Sequence, residues 1–205
     1  SAYRRLRESC ASIRNVVLIG PSHRVPMRGL AMPSVDAFET PLGEIPIDRV
    51  ARQRLRELGL AGISDAAHAA EHSLEVQLPF LQMVLPAFDL LPIATGLAPP
   101  AQLARALEAI WDGPSTLIVV SSDLSHYHTT AEARQLDDQT KDSILARRGD
   151  LSDEQACGSC GINGLMDVAR HEGLVVELLD QRNSGDTAGD RSRVVGYGSY
   201  ALNAA

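Results

Sequence analysis

The sequence lacks the features by which membrane and secreted proteins are recognised. No apolar run approaches the roughly 18 residues that a membrane-spanning helix needs, and no basic stretch followed by an apolar core indicates a signal peptide. Cysteine is scarce, with three residues, an odd count that favours free thiols over a disulfide framework. We therefore expect a cytoplasmic protein with free thiols and no membrane partner.

Positive charge is also in short supply. The chain has 19 lysines and arginines against 26 aspartates and glutamates, which gives a net charge of −7. Proteins that neutralise phosphate groups carry the opposite balance, so we expect no nucleic-acid partner. No internal repeat and no Gly/Ser-rich linker interrupts the 205 residues. This predicts a single domain over residues 1–205.

Short apolar runs alternate along the chain with segments of helical spacing. Strands are predicted over residues 16–19, 90–93, 117–120, 174–179 and 194–202. Helices are predicted over residues 48–58, 73–85, 99–111, 131–147 and 161–171, with Asp48 as an N-cap and Gly59 and Gly173 as stop signals. This alternation is typical of an α/β three-layer sandwich with a central mixed, largely parallel sheet. Ligands bind such sheets beyond the carboxyl ends of the strands.

Two turns that carry imidazoles follow two of these predicted strands. His23 comes after the first strand, and Asp123 and His126 come after the third. Each turn taken alone is explained equally well as a cap for the segment that follows. Together they favour a site, because Asp123 and His126 are three residues apart and can meet on one side of a turn. A carboxylate in that position orients an imidazole and raises its basicity.

A third imidazole, that of His72, precedes an apolar helical stripe that includes Leu74 and Leu78. We place His72 at a helix N-terminus, where the helix dipole keeps an imidazole neutral and able to accept a proton or contact a substrate. The alternative is a surface helix start that Glu71 helps to cap. His68 is expected in a loop of small residues rather than in a metal pair with His72.

Cys157 and Cys160 have the C-x-x-C spacing of a redox dithiol or of half a zinc site. No second pair follows, and Cys10 with His171 would complete a zinc site poorly. The favoured interpretation is a helix entry built from small residues. A reactive Cys157 is the alternative, because a thiol at a helix N-terminus has a lowered pKa.

The segment 183–190 is dense in glycine, asparagine and aspartate and lies between two predicted strands. Such a segment is either a surface turn or the source of a carboxylate for the crevice. Imidazole and carboxylate ligands with open positions are what non-haem Fe(II) oxygen chemistry requires.

Taken in order, these motifs resemble those of the Memo-like family, which is called AmmeMemoRadiSam system protein B in prokaryotes. The resemblance runs from about Val16 to Leu202. It rests on Gly20-Pro21-Ser22-His23, Thr40-Pro41-Leu42-Gly43, Glu71 to Pro79, Ser121 to Tyr127, Cys157-Gly158 and Asn183 to Asp186. It implies a fold similar to that of the class III extradiol ring-cleaving dioxygenases, an α/β sandwich with a central mixed sheet.

The resemblance also implies roles for residues of the crevice. It makes His23 and Asp186 metal ligands, with Asp190 as the alternative carboxylate. It makes His126, with Asp123 beside it, an acid/base, and His72 a second pocket histidine. The implied metal is divalent, with Fe(II) first and copper or zinc as alternatives.

Members of the resembled family carry a further metal histidine at the end of an N-terminal strand, and this sequence starts after the corresponding point. We therefore expect a domain truncated at its N-terminus. Unless another residue substitutes for the missing histidine, the chain is expected to bind metal weakly or not at all.

Two hypotheses for function follow from the resemblance. The first is a metal-dependent oxidoreductase, dioxygenase-like, that acts on a small phenolic substrate. The alternative is a non-catalytic module that holds a metal, a peptide or a partner, and the family name points to radical SAM and AMMECR-type partner proteins. A thiol redox protein that uses Cys157 and Cys160 is a minor third hypothesis.

Overall fold

The computed structural model describes residues 2–8, 11–187 and 189–204. Within them the helices are α1 (Ala2–Arg5), α2 (Arg49–Glu57), α3 (Ala66–Ala69), α4 (His72–Glu75), α5 (Leu78–Val84), α6 (Pro100–Ile110), α7 (Thr130–Leu145) and α8 (Ser159–His171). The strands are β1 (Asn15–Pro21), β2 (Leu30–Met32), β3 (Ala37–Thr40), β4 (Gly43–Pro46), β5 (Gly62–Ile63), β6 (Asp89–Thr95), β7 (Thr116–Val120), β8 (His126–His128), β9 (Val175–Asn183) and β10 (Val194–Asn203). Short 3₁₀ helices cover Leu6–Glu8, Gly113–Ser115 and Ser184–Asp186. In the described ranges, no helix combines the length and the apolar character needed to cross a membrane.

A five-stranded sheet forms the centre of the fold, in the order β5-β2-β6-β1-β7. Strand β1 runs parallel to both β6 and β7, so that Val16 lies beside Leu90 on one side and Leu117 on the other. Strand β2 is parallel to β5 and antiparallel to β6. The predicted α/β fold with a central mixed, largely parallel sheet is confirmed. The carboxyl ends of β1, β6 and β7 lie along one edge of this sheet.

Helices cover both faces of the central sheet. Successive side chains of β1 point to opposite faces, so each face of this strand packs against a different set of helices. Val17 and Ile19 belong to a core cluster with residues of α2, α6 and α8. Val16 and Leu18 belong to a second cluster with residues of α4 and α5. All four side chains are at most 2% exposed, and burying an aliphatic side chain of this size contributes about 1.5–3 kcal/mol. This burial on both faces explains why the strand is continuously apolar in sequence.

Local signals set most helix boundaries as predicted. The side chain of Asp48 caps α2, and Gly59 and Gly173 follow α2 and α8 with φ of +66° each, the left-handed conformation that ends a helix. The predicted helix over residues 73–85 is wrong in one respect, since it consists of two helices, α4 and α5. Pro79 lies in the first turn of α5, where its missing N–H costs no hydrogen bond.

A second, antiparallel sheet has the order β8-β10-β9, and α7 packs against β9 and β10. The sequence pattern predicted β9 and β10 as strands but did not predict this separate sheet. Strand β7 is an edge strand of the central sheet, and a groove of about 740 Å³ is lined by residues of β7 and β10. This groove is larger than the cleft described below, but none of the described residues that line it carries an imidazole.

A carboxylate is buried where α7 packs on the second sheet. Asp137 is 2% exposed, and its Oδ1 accepts a hydrogen bond from the backbone N–H of Ser125 at 3.1 Å. Gly196 on β10 leaves room for it, because a Cβ at that position would overlap Asp137 Oδ2. Burial raises the pKa of Asp137, against the lowering effect of the Ser125 hydrogen bonds. Since Ser125 precedes His126, Asp137 fixes the backbone that carries this imidazole.

Gly161 tests the close packing of α8 on the central sheet. A Cβ at Gly161 would lie 2.9 Å from Val120 Cγ1 and 3.2 Å from Ile19 Cγ2. We expect Gly161→Ala to lower the free energy of unfolding by about 1–3 kcal/mol, as overpacking of a core does, although alanine is the better helix former. Gly62→Ala is the control, because its Cβ would meet only Leu30 O at 4.0 Å. Equal effects of the two substitutions in urea unfolding would contradict this packing.

The raised pKa of Asp137 predicts how the free energy of unfolding depends on pH. Because the pKa of Asp137 is raised in the folded chain, its contribution to stability is full below the unfolded pKa and is lost as the pH rises through the folded pKa. Asp137→Asn removes this loss. We therefore expect the free energy of unfolding of Asp137→Asn, relative to wild type, to increase between about pH 3.5 and about pH 7 in urea titrations.

The neighbouring Asp138 provides a control of opposite sign. Its hydrogen bond from Lys141 lowers the pKa of Asp138, so its contribution is present above the unfolded pKa and is lost as the pH falls through the folded pKa. Asp138→Asn should therefore lose stability relative to wild type as the pH rises over the same range. If both variants changed in the same direction, the burial effect at Asp137 would be disproved.

Candidate functional site

A cleft of about 330 Å³ lies where the chain leaves β1 and β7. Because these strands are parallel neighbours, the turns that follow them meet at one edge of the sheet. The cleft is lined by His23, Arg24, His72, Asp123, His126, Tyr127 and Val195. The cleft thus brings together four residues that were predicted to be catalytic or metal-binding, namely His23, His72, Asp123 and His126.

Glu71 holds two of the imidazoles from one buried carboxylate. Its side chain is 1% exposed. Its Oε2 accepts the backbone N–H of His23 at 2.5 Å, and its Oε1 accepts the backbone N–H of Ser73 at 2.9 Å. The same Oε1 lies 3.0 Å from Nδ1 of His23 and 3.4 Å from Nδ1 of His72. The rings of His23 and His72 stack with their centroids 5.1 Å apart.

Local sequence brings α4 against the end of β1. Glu71 is the N-cap of α4, because its side chain accepts the N–H of Ser73. The hydroxyl of Ser73 donates to the carbonyl of Pro21 at 2.9 Å, which ties the helix to the end of the strand. Gly20 permits this approach, since a Cβ there would lie 2.7 Å from Ser73 Oγ and 2.8 Å from Leu74 Cδ2. Gly20, three residues before His23, is therefore required for the close packing of α4 on β1.

The charge of Glu71 decides which imidazole nitrogen is available. Burial acts to raise its pKa, but the hydrogen bonds from His23 and Ser73 outweigh burial and hold the pKa of Glu71 at about 2. The carboxylate is therefore ionised at neutral pH and accepts a hydrogen bond from the Nδ1–H of His23. Nε2 then carries the lone pair that can bind a metal or accept a proton. Among the described residues, neither Nε2 atom of His23 and His72 has a hydrogen-bond partner.

This group of side chains fits a divalent transition metal. One donor atom each of His23, Glu71 and His72 lies within 4.8 Å of the other two. Three N–H groups already occupy the oxygens of Glu71, so this carboxylate is placed to orient imidazole ligands rather than to bind an ion itself. Imidazole nitrogen suits iron, copper and zinc. The imidazoles of His23 and His72 are therefore the candidate ligands for such an ion in this cleft.

Asp123, His126 and Tyr127 contribute a different set of groups to the cleft. Asp123 Oδ2 lies 3.7 Å from His126 Nε2. The two residues therefore meet as the sequence predicted, but at ion-pair distance, which is too long for a hydrogen bond. Tyr127 has φ of +63°, a left-handed conformation that costs a residue of this kind about 1–3 kcal/mol. The guanidinium of Arg193 lies 5.0 Å from the centre of the Tyr127 ring.

The two carboxylates considered as metal ligands have other partners. Asp186 pairs with Arg134 at 3.1 Å, and its Oδ2 accepts the backbone N–H of Asn183 at 3.0 Å. The Asp190 side chain accepts two hydrogen bonds from Ser192. Neither aspartate is among the described residues that line the cleft. The role of Asp186 as a metal ligand, with Asp190 as its alternative, stays a prediction.

The lowered pKa that the alternative of a reactive Cys157 requires is contradicted. Helix α8 begins at Ser159, so the thiol lies before the helix, and burial raises the pKa of Cys157. Burial also raises the pKa of Cys160, to about 11. Both thiols are free, and Cys10 lies outside the described residues. Raised pKa values lower the thiolate population on which the thiol redox hypothesis depends.

His68 lies in the single-turn helix α3 and not, as expected, in a loop. Its Nε2 lies 3.1 Å from the carbonyl oxygen of Ala31, and its ring packs edge-on to Phe38. Burial lowers the pKa of His68. The residue therefore belongs to the packing around β2, and the expectation that it makes no metal pair with His72 stays a prediction.

Sequence reasoning missed the central position of Glu71. The sequence signal was its place directly before His72 at the start of a helix, which was interpreted as capping alone. Capping is correct, but the carboxylate also reaches His23, 48 residues away in sequence. Only the packing of α4 on β1 reveals that second contact. Arg24 and Tyr127 were likewise not singled out.

Comparisons with known proteins agree with this architecture. The chain is 37% identical over 202 residues to a MEMO1 family protein of Aquifex aeolicus, which covers 89% of this chain and 73% of that protein. It is 34% identical over 196 residues to a MEMO1 family protein of Archaeoglobus fulgidus, with coverage of 88% and 73%.

A solved structure shows a similar fold. The crystal structure of uncharacterized protein JW3007 from Escherichia coli K12 aligns with a TM-score of 0.60 at 14% identity, over 96% of this chain and 91% of that one. This likeness concerns the fold alone. The family model described as Memo-like protein matches residues 1–201. Together with the relatives of 30% identity and more, this match shows that the chain belongs to the Memo-like protein family.

Proposed function

We propose that this chain binds a divalent metal ion, with Fe(II) as the working ion, in the cleft beyond β1 and β7. His23 and His72 are the proposed ligands, and Glu71 orients both rings. In this proposal the cleft serves the oxidation of a small phenolic substrate, with His126 as proton donor and acceptor and Asp123 beside it.

The observation that carries the proposal is the buried Glu71 carboxylate shared by two imidazoles. Burying a charge is costly unless it is paired. The backbone N–H groups of His23 and Ser73 would already satisfy a carboxylate that served only as a cap. Glu71 also contacts the rings of His23 and His72, whose side chains are 36% and 60% exposed at the cleft. Orienting solvent-accessible imidazoles is the ordinary task of a carboxylate behind metal-binding histidines.

Asp186 is left out of the proposed ligand set because both of its oxygens are engaged. A bound ion supplies Lewis-acid and redox chemistry at its open coordination positions. His126 is 31% exposed and can exchange a proton with a substrate and with water. Copper binds nitrogen ligands more tightly than iron does. The working ion is therefore identified by activity and not by the metal found after purification.

The first prediction of this proposal concerns metal affinity. We expect the chain, stripped with a chelator and titrated with Zn(II), to bind one equivalent, and Glu71→Gln to lower the affinity about ten- to a hundredfold, as loss of an orienting carboxylate does. His23→Gln should lower it at least as much, because it removes a ligand. Isothermal titration calorimetry measures both effects, and melting temperatures report whether the variants remain folded.

His171→Gln is the matched control for metal binding. His171 lies at the end of α8 and has its Nδ1 3.1 Å from Glu108, so it forms an imidazole–carboxylate pair outside the cleft. Its substitution should leave the Zn(II) affinity unchanged. Absence of binding by the wild-type chain, or an equal loss in the control, would disprove the proposed metal site.

The second prediction concerns oxidation. We expect the chain, loaded anaerobically with Fe(II), to consume oxygen when catechol is supplied. His126→Gln should lower the rate about a hundredfold or more, the usual contribution of a general acid or base, without changing Zn(II) affinity. Tight metal binding without oxygen uptake would refute the oxidoreductase part of the proposal. The alternative, a non-catalytic binding module, would then explain the cleft.

A further inference from the structure

The cleft contains one cationic side chain whose charge is not used within the protein. Arg24 follows His23 and lines the cleft. In the part of the chain that the structure describes, its guanidinium has no hydrogen bond and no ion-pair partner, whereas the nearby carboxylates are engaged. Glu71 contacts His23, and Asp123 lies beside His126. An unpaired arginine at a concave site is suited to bind an anionic group of a ligand.

The same cleft exposes the aromatic ring of Tyr127, whose backbone adopts an energetically unfavourable conformation. Tyr127 is 66% exposed, and its backbone has φ of +63°. An exposed tyrosine gains little from burial, so folding alone does not explain why a bulky residue occupies a left-handed position. Arg193 lies over the ring at 5.0 Å from its centre, and the His126 ring lies edge-on at 5.7 Å. These contacts fix the ring at the cleft, where it can stack with a planar ligand.

We propose that the cleft binds aromatic compounds that carry a carboxylate, with Arg24 pairing with the carboxylate and Tyr127 packing against the ring. This inference rests on the proposed function and narrows its phenolic substrate to an anionic one. Arg24 and Tyr127 act on affinity for the substrate, and neither is proposed to take part in the reaction.

The size and charge of the cleft favour this class of ligand. Its volume of about 330 Å³ lies at the lower end of the range for small-molecule sites and suits one ring rather than a nucleotide. A carboxylate matches the planar guanidinium with two parallel hydrogen bonds. Asp123 adds negative charge to the cleft, which disfavours a dianionic phosphate more than a singly charged carboxylate.

The test compares two ligands that differ in charge and hardly in shape. We expect Zn(II)-loaded protein to bind 4-hydroxybenzoate at least tenfold more tightly than 4-hydroxybenzamide, since hydrogen bonds between two charged groups are roughly twice as strong as those between neutral groups. Arg24→Gln should remove this preference and leave the affinity for the benzamide within about twofold. Titration calorimetry measures the four affinities.

Two further variants separate the effect of Arg24 on ligand affinity from the effects of a distant positive charge and of the tyrosine ring. Arg28→Gln is the matched control, because Arg28 lies four residues along the same segment but does not line the cleft. It should leave both affinities unchanged. Tyr127→Asn removes the ring while keeping a residue that tolerates the left-handed conformation. It should weaken the benzoate and the benzamide by the same factor, a few-fold, because stacking does not depend on the ligand charge.

The outcomes distinguish this inference from the proposed function. Zn(II) affinity should be the same in wild type and Arg24→Gln, so that failure of metal binding is detected separately. The ligand comparison is also run on the metal-free chain, where Arg24 should still select the benzoate. If neither ligand binds, if both bind equally, or if Arg24→Gln weakens both equally, the inference is wrong.

Discussion

The site depends on the hydrogen bonds that Glu71 accepts at the end of β1. This one carboxylate caps α4, fixes the backbone of His23 and contacts two imidazole rings. Its burial is tolerated because N–H groups surround it, and the same groups keep it ionised at neutral pH. The close approach of α4 to Gly20 is part of the same arrangement. A change in any of these contacts would move both imidazoles together.

Much of the framework could be predicted from the sequence. Continuous apolar runs identified β1 and β7 because strands covered on both faces have no polar alternation. The rule that parallel strands present their carboxyl ends at one edge then brought His23 and His126 to a common cleft. Both steps use local patterns and a topological rule, and neither needs detailed packing. The family resemblance added roles for these residues that spacing alone does not supply.

The parts that escaped prediction depend on contacts distant in sequence. Glu71 looks like a helix cap because its neighbour Ser73 is visible in the sequence, while its contact with His23 is not. Asp186 forms an ion pair with Arg134, a residue 52 positions away that the sequence around Asp186 does not reveal. The alternative of a Cys157 thiol with a lowered pKa at a helix N-terminus is contradicted, because the helix starts later and burial raises the pKa. In each case a partner supplied by tertiary structure changes the chemistry of the side chain.

Strand β7 carries a second consequence for the molecule. The turn that follows it brings Asp123 and His126 to the cleft, yet the strand has one hydrogen-bonded neighbour, β1, among the described strands. Its sequence, Thr-Leu-Ile-Val-Val, contains no proline and no charged residue, the residues that commonly keep sheet edges from pairing with other strands. The groove toward β10 leaves that edge accessible. Within the described residues, the strand that helps to build the cleft therefore also leaves the backbone groups of one edge facing this groove.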